Sequence, residues 1–171
     1  MAVVYLGVGS NIERERYICA GLDALERLFG AMAMSSVYDG AAVGFAGQPF
    51  LNLVVRIETD MALEQLAATL RHLEREHGRP DNAPRLSARQ LDIDILTYDD
   101  RVGTYGHVTL PREEILYNAF VLRPLAELAP QVQHPVARRS YAELWRDYDH
   151  AAQTLRRVDF DWRGRSISAA E

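Results

Sequence analysis

Two carboxylates spaced two residues apart, Asp92 and Asp94, follow three guanidiniums at Arg79, Arg85 and Arg89, and this stretch concentrates the chemistry the chain can offer. Leu91, Ile93 and Ile95 alternate with the acids in the manner of a half-buried strand. Such a strand sends both carboxylates to one face and the three aliphatic side chains to the other. Neighbouring carboxylates repel each other, and a divalent cation between them removes that repulsion; magnesium suits such hard oxygen donors. The arginine forks just upstream match phosphate oxygens in geometry as well as charge. Together these groups point to metal-assisted chemistry on a nucleoside triphosphate. Taken alone, the same spacing also describes the solvated face of an amphipathic strand beside a charged loop, so the elements around it must decide.

At 171 residues the chain is sized for one domain with a single core, expected over residues 1–155 with a polar tail at 156–171. A net charge of −5 argues against a surface that binds nucleic acid by general electrostatics. All nineteen basic residues are arginine, which excludes P-loop chemistry built on a lysine and makes any phosphate contact a guanidinium fork. Cys19 stands alone, so neither an intrachain disulfide nor a cysteine-based metal site is expected, and a small buried helix residue is. No apolar run reaches the length of a membrane span, and Met1-Ala2-Val3-Val4 lacks a basic leader, so a cytoplasmic protein without a membrane partner is expected.

The carboxylates need a scaffold, and the hydrophobic pattern supplies one. Val3 to Gly9 reads as a buried first strand closing on the turn Gly9-Ser10-Asn11. Residues 14–29 place Tyr17, Leu22, Leu25 and Leu28 at helical spacing, with Gly30 as the stop. Residues 32–38 form a second strand, and the glycine-rich run 39–49 is a loop of the kind that often carries function. Residues 50–57 form a third strand holding Asn52, an amide in an apolar run that must find polar partners, a ligand edge being one source. A second helix over 63–77 follows, with Asp60 as N-cap, an apolar stripe of Leu63, Leu66, Leu70 and Leu73, and Glu74 facing the arginine loop.

Residues 79–89 form that loop and 90–98 the fourth strand. Beyond it the pattern gives a short edge strand at 108–111, a helix over 118–128 containing Pro124, and a last helix over 141–155 capped by Ser140. The tail after it is expected to be loosely held. The order β-α-β-β-α-β is the split βαβ arrangement of ferredoxin-like folds, an α+β class with helices on one sheet face and the other free for a ligand. His77, His107 and His134 have no spacing that suggests a ligand set.

From Val4 to about Gln131 the chain resembles the 6-hydroxymethyl-7,8-dihydropterin pyrophosphokinases of folate biosynthesis, through four motifs in order. These are the opening strand with Gly9-Ser10-Asn11, the segment Gln48-Pro49-Phe50-Leu51-Asn52, the signature Arg89-Gln90-Leu91-Asp92-Ile93-Asp94, and the helix beginning Phe120-Val121-Leu122-Arg123-Pro124. The resemblance implies transfer of a whole diphosphate from ATP to the hydroxymethyl oxygen of a reduced pterin, leaving AMP. It implies two magnesium ions on Asp92 and Asp94, with Arg79 and Arg89 stabilising the transferred group. The pterin would lie among Val43, Phe50, Asn52 and Phe120, and the nucleotide beside Glu74, Arg85, Ile95, Thr109 and Arg112. A monomer is expected, with a dimer as the alternative.

The chain departs from that family's pattern at several places. It has Gly40-Ala41-Ala42 for Thr-Pro-Pro, Asp81 and Asn82 for basic residues, and Leu86-Ser87-Ala88 for Trp-Gly-Pro. Arg112 stands for a histidine, and Asn118 for an arginine whose contact to triphosphate would be worth about 1.5–3 kcal/mol. A divergent paralogue with weak activity or another pterin substrate is the alternative these changes raise. A palm-type nucleotidyl transferase also uses an Asp-x-Asp strand, but it needs a basic channel that this acidic chain lacks. An RNA-binding ferredoxin-like module needs paired aromatics on its central strands, where only Tyr5 is present.

Overall fold

In the computed structural model, which describes residues 1–78 and 89–171, the chain forms the expected α+β sheet and adds to it at the carboxyl end. Strand β1 (Ala2–Ser10) leads through helix α1 (Arg14–Phe29) to β2 (Ala33–Met34), β3 (Val37–Gly40) and β4 (Phe50–Thr59). Helix α2 (Leu63–Glu76) then returns the chain to β5 (Asp92–Tyr98). The main sheet runs β5-β1-β4-β3-β8 with every pair antiparallel, β2 joining the side of β4, and β8 being Leu155–Val158.

The single second strand expected at 32–38 is broken in two. Met34 pairs with Val55 but Tyr38 with Asn52, so four steps along one strand oppose three on the other, a β-bulge. Ser35 fills it: its N–H donates to the Val54 carbonyl and its hydroxyl accepts from the Val54 N–H, both at 2.9 Å.

Alternation along the strands builds two cores. Val4, Leu6 and Val8 of β1, with Ile93 and Ile95 of β5, meet Leu22 and Leu25 of α1 and Leu66 and Leu70 of α2. The opposite face carries Tyr5, Val54 and Leu96, and it is not left wholly open as expected. Helix α3 (Ala119–Leu128) lays Val121, Leu122 and Leu125 on it, backed by Tyr141 of the short helix α4 (Tyr141–Arg146). The apolar trio on that face explains the cover, since it would otherwise expose a large patch to water.

The last helix stops at Arg146, nine residues short of its expected end, and the tail is not loose. Residues 155–158 extend the main sheet as β8, and β9 (Phe160–Trp162) and β10 (Arg165–Ser168) make a hairpin. Its two-residue turn, Arg163-Gly164, has both φ positive, which suits a tight hairpin. Phe160 and Trp162 enter the core shared with α1 and α2, and the indole N–H donates to Asp23 Oδ1 at 2.9 Å. The expected edge strand is β7 (Val108–Leu110), paired with β6 (Gly103–Tyr105) in a separate ribbon. Cys19 sits in α1 only partly buried. Among the described residues, no helix is long and apolar enough to cross a membrane.

Candidate active site

Two glycines on β1, the strand between β5 and β4, shape the floor of the site. Gly9 of β1 pairs with Asp92 on one side and Asn52 on the other, and Gly7 pairs with Asp94 and Val54. Paired residues share a sheet face, so the carboxylates and Asn52 flank a strip without side chains. A Cβ at Gly9 would lie 2.5 Å from Asn52 Oδ1. Glycine therefore keeps a trough between the acids of β5 and the amide of β4.

Asp92 and Asp94 are recessed but not sealed, with 20% and 29% of their side-chain surface exposed. Arg89 Nη1 stands 2.5 Å from Asp92 Oδ1. Burial works to raise the Asp92 carboxyl, yet the Arg89 guanidinium and a hydrogen bond from Asp94 hold it below the usual carboxylate range. Asp94 goes the other way: burial, and then the Asp92 charge, push it well above that range, against the pull of Arg112. The pair holds one negative charge readily and a second poorly, and a cation would relieve the second. Arg112 Nη2 lies 3.7 Å from Asp94 and 2.6 Å from Glu114.

Neighbouring groups fix these side chains. The Asn11 amide group ties three segments together: its Oδ1 accepts from the Arg89 N–H at 2.7 Å and its Nδ2 donates to the Gln48 carbonyl at 3.1 Å. Glu74 is buried, and its Oε2 accepts from the Ile93 N–H at 2.8 Å. It therefore braces the strand between the two aspartates. Ile95, expected near the nucleotide, sends its side chain into the core under α1 and α2, so only its main chain remains for a ligand.

On the other flank, Phe50 and Asn52 lie two residues apart on one face of β4, and Phe45 meets Phe50 edge-on at 6.3 Å. Phe120 opens α3 and is partly buried against the Tyr5, Val54 and Leu96 core. Val43 and Thr109 are exposed, in the loop before β4 and on β7. Gly40 makes room for Leu155, whose Cδ1 would be 2.8 Å from a Cβ there, so this departure accompanies the added strand β8. Arg79, Arg85, Asp81, Asn82 and residues 86–88 lie outside the described residues. The expected candidates missed Asn11, Glu114 and Gln153. Asn11 was visible as a turn residue, while nothing periodic marks the other two.

A family model for 7,8-dihydro-6-hydroxymethylpterin-pyrophosphokinase (HPPK) matches residues 5–130. The chain belongs to the HPPK family. A 2-amino-4-hydroxy-6-hydroxymethyldihydropteridine pyrophosphokinase of Aquifex aeolicus is 35% identical over 146 residues, covering 84% of this chain and 91% of that one. The enzyme of the same name from Pseudomonas aeruginosa is 37% identical over 139 residues, covering 79% and 85%. A crystal structure of HPPK-DHPS in complex with substrates matches in fold with a TM-score of 0.76 at 10% identity, covering 98% of this chain and 50% of that one. The chain thus spans about half the length of that solved structure. Within the HPPK match lie β1 to β5 and α3, with all the carboxylates and aromatics above; α4 and β8 to β10 fall beyond it.

Proposed function

We propose that this HPPK-family chain transfers the diphosphate of ATP to the hydroxymethyl oxygen of 6-hydroxymethyl-7,8-dihydropterin, leaving AMP, in folate synthesis. The observation that carries the reading is the trough floored by Gly7 and Gly9, with a carboxylate pair on one side and an amide flanked by an aromatic ring on the other.

Among the described residues, no cluster of three or more histidine, cysteine or acidic side chains surrounds a metal position. The Asp92 and Asp94 pair nonetheless fits magnesium by its chemistry: two hard oxygen donors whose like charges are ill-tolerated together. Remaining positions would be filled by phosphate oxygens and water, as is usual for magnesium on nucleotides. Bound there, two magnesium ions would neutralise charge on the triphosphate and favour ionisation of the attacking hydroxyl.

The protein's own part is positioning and charge. Arg89, fixed by Asn11 and Asp92, presents its cation where negative charge grows on the transferred group, a task assigned also to Arg79, while Arg85 is assigned to the nucleotide. Arg112 serves the nucleotide side, with Thr109 and the main chain at Ile95. Glu74 acts there by bracing the strand, through the Ile93 N–H. Asn52 offers both donor and acceptor to the edge of the pterin, with Phe50, Phe120 and Val43 against its flat faces.

Incubation with ATP, magnesium and the pterin tests the reading. AMP and a pterin diphosphate are expected in equal amounts; ADP, or no turnover, would contradict it.

A further inference from the structure

A chain of polar contacts runs from the carboxyl-terminal segment to the carboxylates. Gln153 Oε1 accepts from the Ala119 N–H at 2.9 Å, and its Nε2 donates to Asn118 Oδ1 at 2.8 Å. Asn118 is buried, and its Nδ2 donates to Glu114 Oε2 at 2.8 Å. The other Glu114 oxygen accepts from Arg112 Nε at 2.8 Å, and Arg112 Nη2 lies 3.7 Å from Asp94. Both amide orientations follow from their ends, because a backbone N–H can only donate and a carboxylate can only accept. Tyr148 strengthens the join by donating its hydroxyl to the Tyr117 carbonyl at 2.9 Å.

We propose that Gln153 is a positioning residue for the nucleotide side of the site, holding Arg112 beside Asp94 through Asn118 and Glu114. Gln153 lies outside the 5–130 family match, at the position in space where Asn118 needs a partner. Without that partner the Asn118 amide is free to turn, Glu114 loses a donor, and the Arg112 fork loses its fixed acceptor. A half-buried relay of this kind keeps a long side chain in one rotamer, so less entropy is lost when phosphate arrives.

The ligand named here rests on the diphosphate-transfer reading; the coupling itself does not. Gln153→Ala removes both contacts and also uncaps α3. Gln153→Glu is the sharper variant, since its carboxylate still accepts from the Ala119 N–H but cannot donate to Asn118. It should still unfold cooperatively, at a midpoint lowered by no more than the loss of one hydrogen bond, bind the pterin as the parent does, and bind magnesium with α,β-methylene-ATP about three- to tenfold more weakly. In an Arg112→Ala background the same change should add nothing.

The Nε–H resonance of Arg112, assigned by its loss in Arg112→Ala, should shift in Gln153→Glu without any nucleotide present. An unmoved resonance, or nucleotide effects that multiply in the double variant, would overturn the proposal. A parent protein that forms no AMP while this resonance still answers to Gln153→Glu would instead count against the activity alone.

Discussion

Asn11 and Arg89 hold each other by two hydrogen bonds of opposite sense: the Asn11 N–H donates to the Arg89 carbonyl at 3.0 Å, and Asn11 Oδ1 accepts from the Arg89 N–H at 2.7 Å. The turn after β1 thereby fixes the residue that leads into β5, and with it the guanidinium on Asp92. Asn11→Ala leaves a buried N–H without its acceptor and should cost about 1–3 kcal/mol. AMP formation should fall at least about tenfold beyond what the lost folded fraction explains. Denaturant titration alongside the turnover assay checks both numbers.

Gly9→Ala tests the trough. Alanine costs a strand less than glycine does, and the atom its Cβ would meet is the tip of the Asn52 side chain, which can move. The melting temperature should therefore change little. Asn52 must swing away, and pterin affinity measured by calorimetry should drop about tenfold, the loss of one good hydrogen bond.

The hairpin tests whether the added strands serve the fold rather than the chemistry. Trp162 is buried in the core on the α1 and α2 side, away from the carboxylates. Trp162→Ala should destabilise the protein by about 3–5 kcal/mol, while turnover per folded molecule stays within about twofold.

His134 is buried, and its Nδ1 accepts from the Val136 and Ala137 N–H groups at 3.1 and 2.9 Å. Burial lowers its pKa below the ordinary 6.5, so the unfolded chain takes up a proton there more readily than the folded one. Its contribution to stability is thus complete above 6.5 and is lost as the pH falls below that value. The drop in denaturation midpoint between pH 7.5 and 5 should be smaller in His134→Gln than in the parent.

The main sheet was legible because its signals are local. Leu91, Ile93 and Ile95 alternate with Asp92 and Asp94, and the leucines of α2 recur at helical spacing, so a few neighbours decide each element. Residues 155–168 were not read as strands, although Leu155, Val158, Phe160 and Trp162 are apolar, because Arg156 and Arg157 make the segment look solvated and its partner β3 lies more than a hundred residues away. The bulge at Ser35 escaped for a related reason: a one-residue register shift exists only between two strands. In the site, residue types announced the carboxylates, arginines and aromatics. The supports did not, since Gln153 and Asn118 sit 35 residues apart in segments without period and meet only in the folded chain.

Asp94→Asn puts the carboxylate pair to the most direct trial, because it removes one charge while keeping shape and hydrogen bonding on a residue that faces away from the core under α1 and α2. The expected result is a protein that unfolds cooperatively at a midpoint no lower than the parent's and forms AMP at least about a hundredfold more slowly under saturating ATP, magnesium and pterin. Parental turnover in that variant would contradict the assignment of the pair as the site's cation holder.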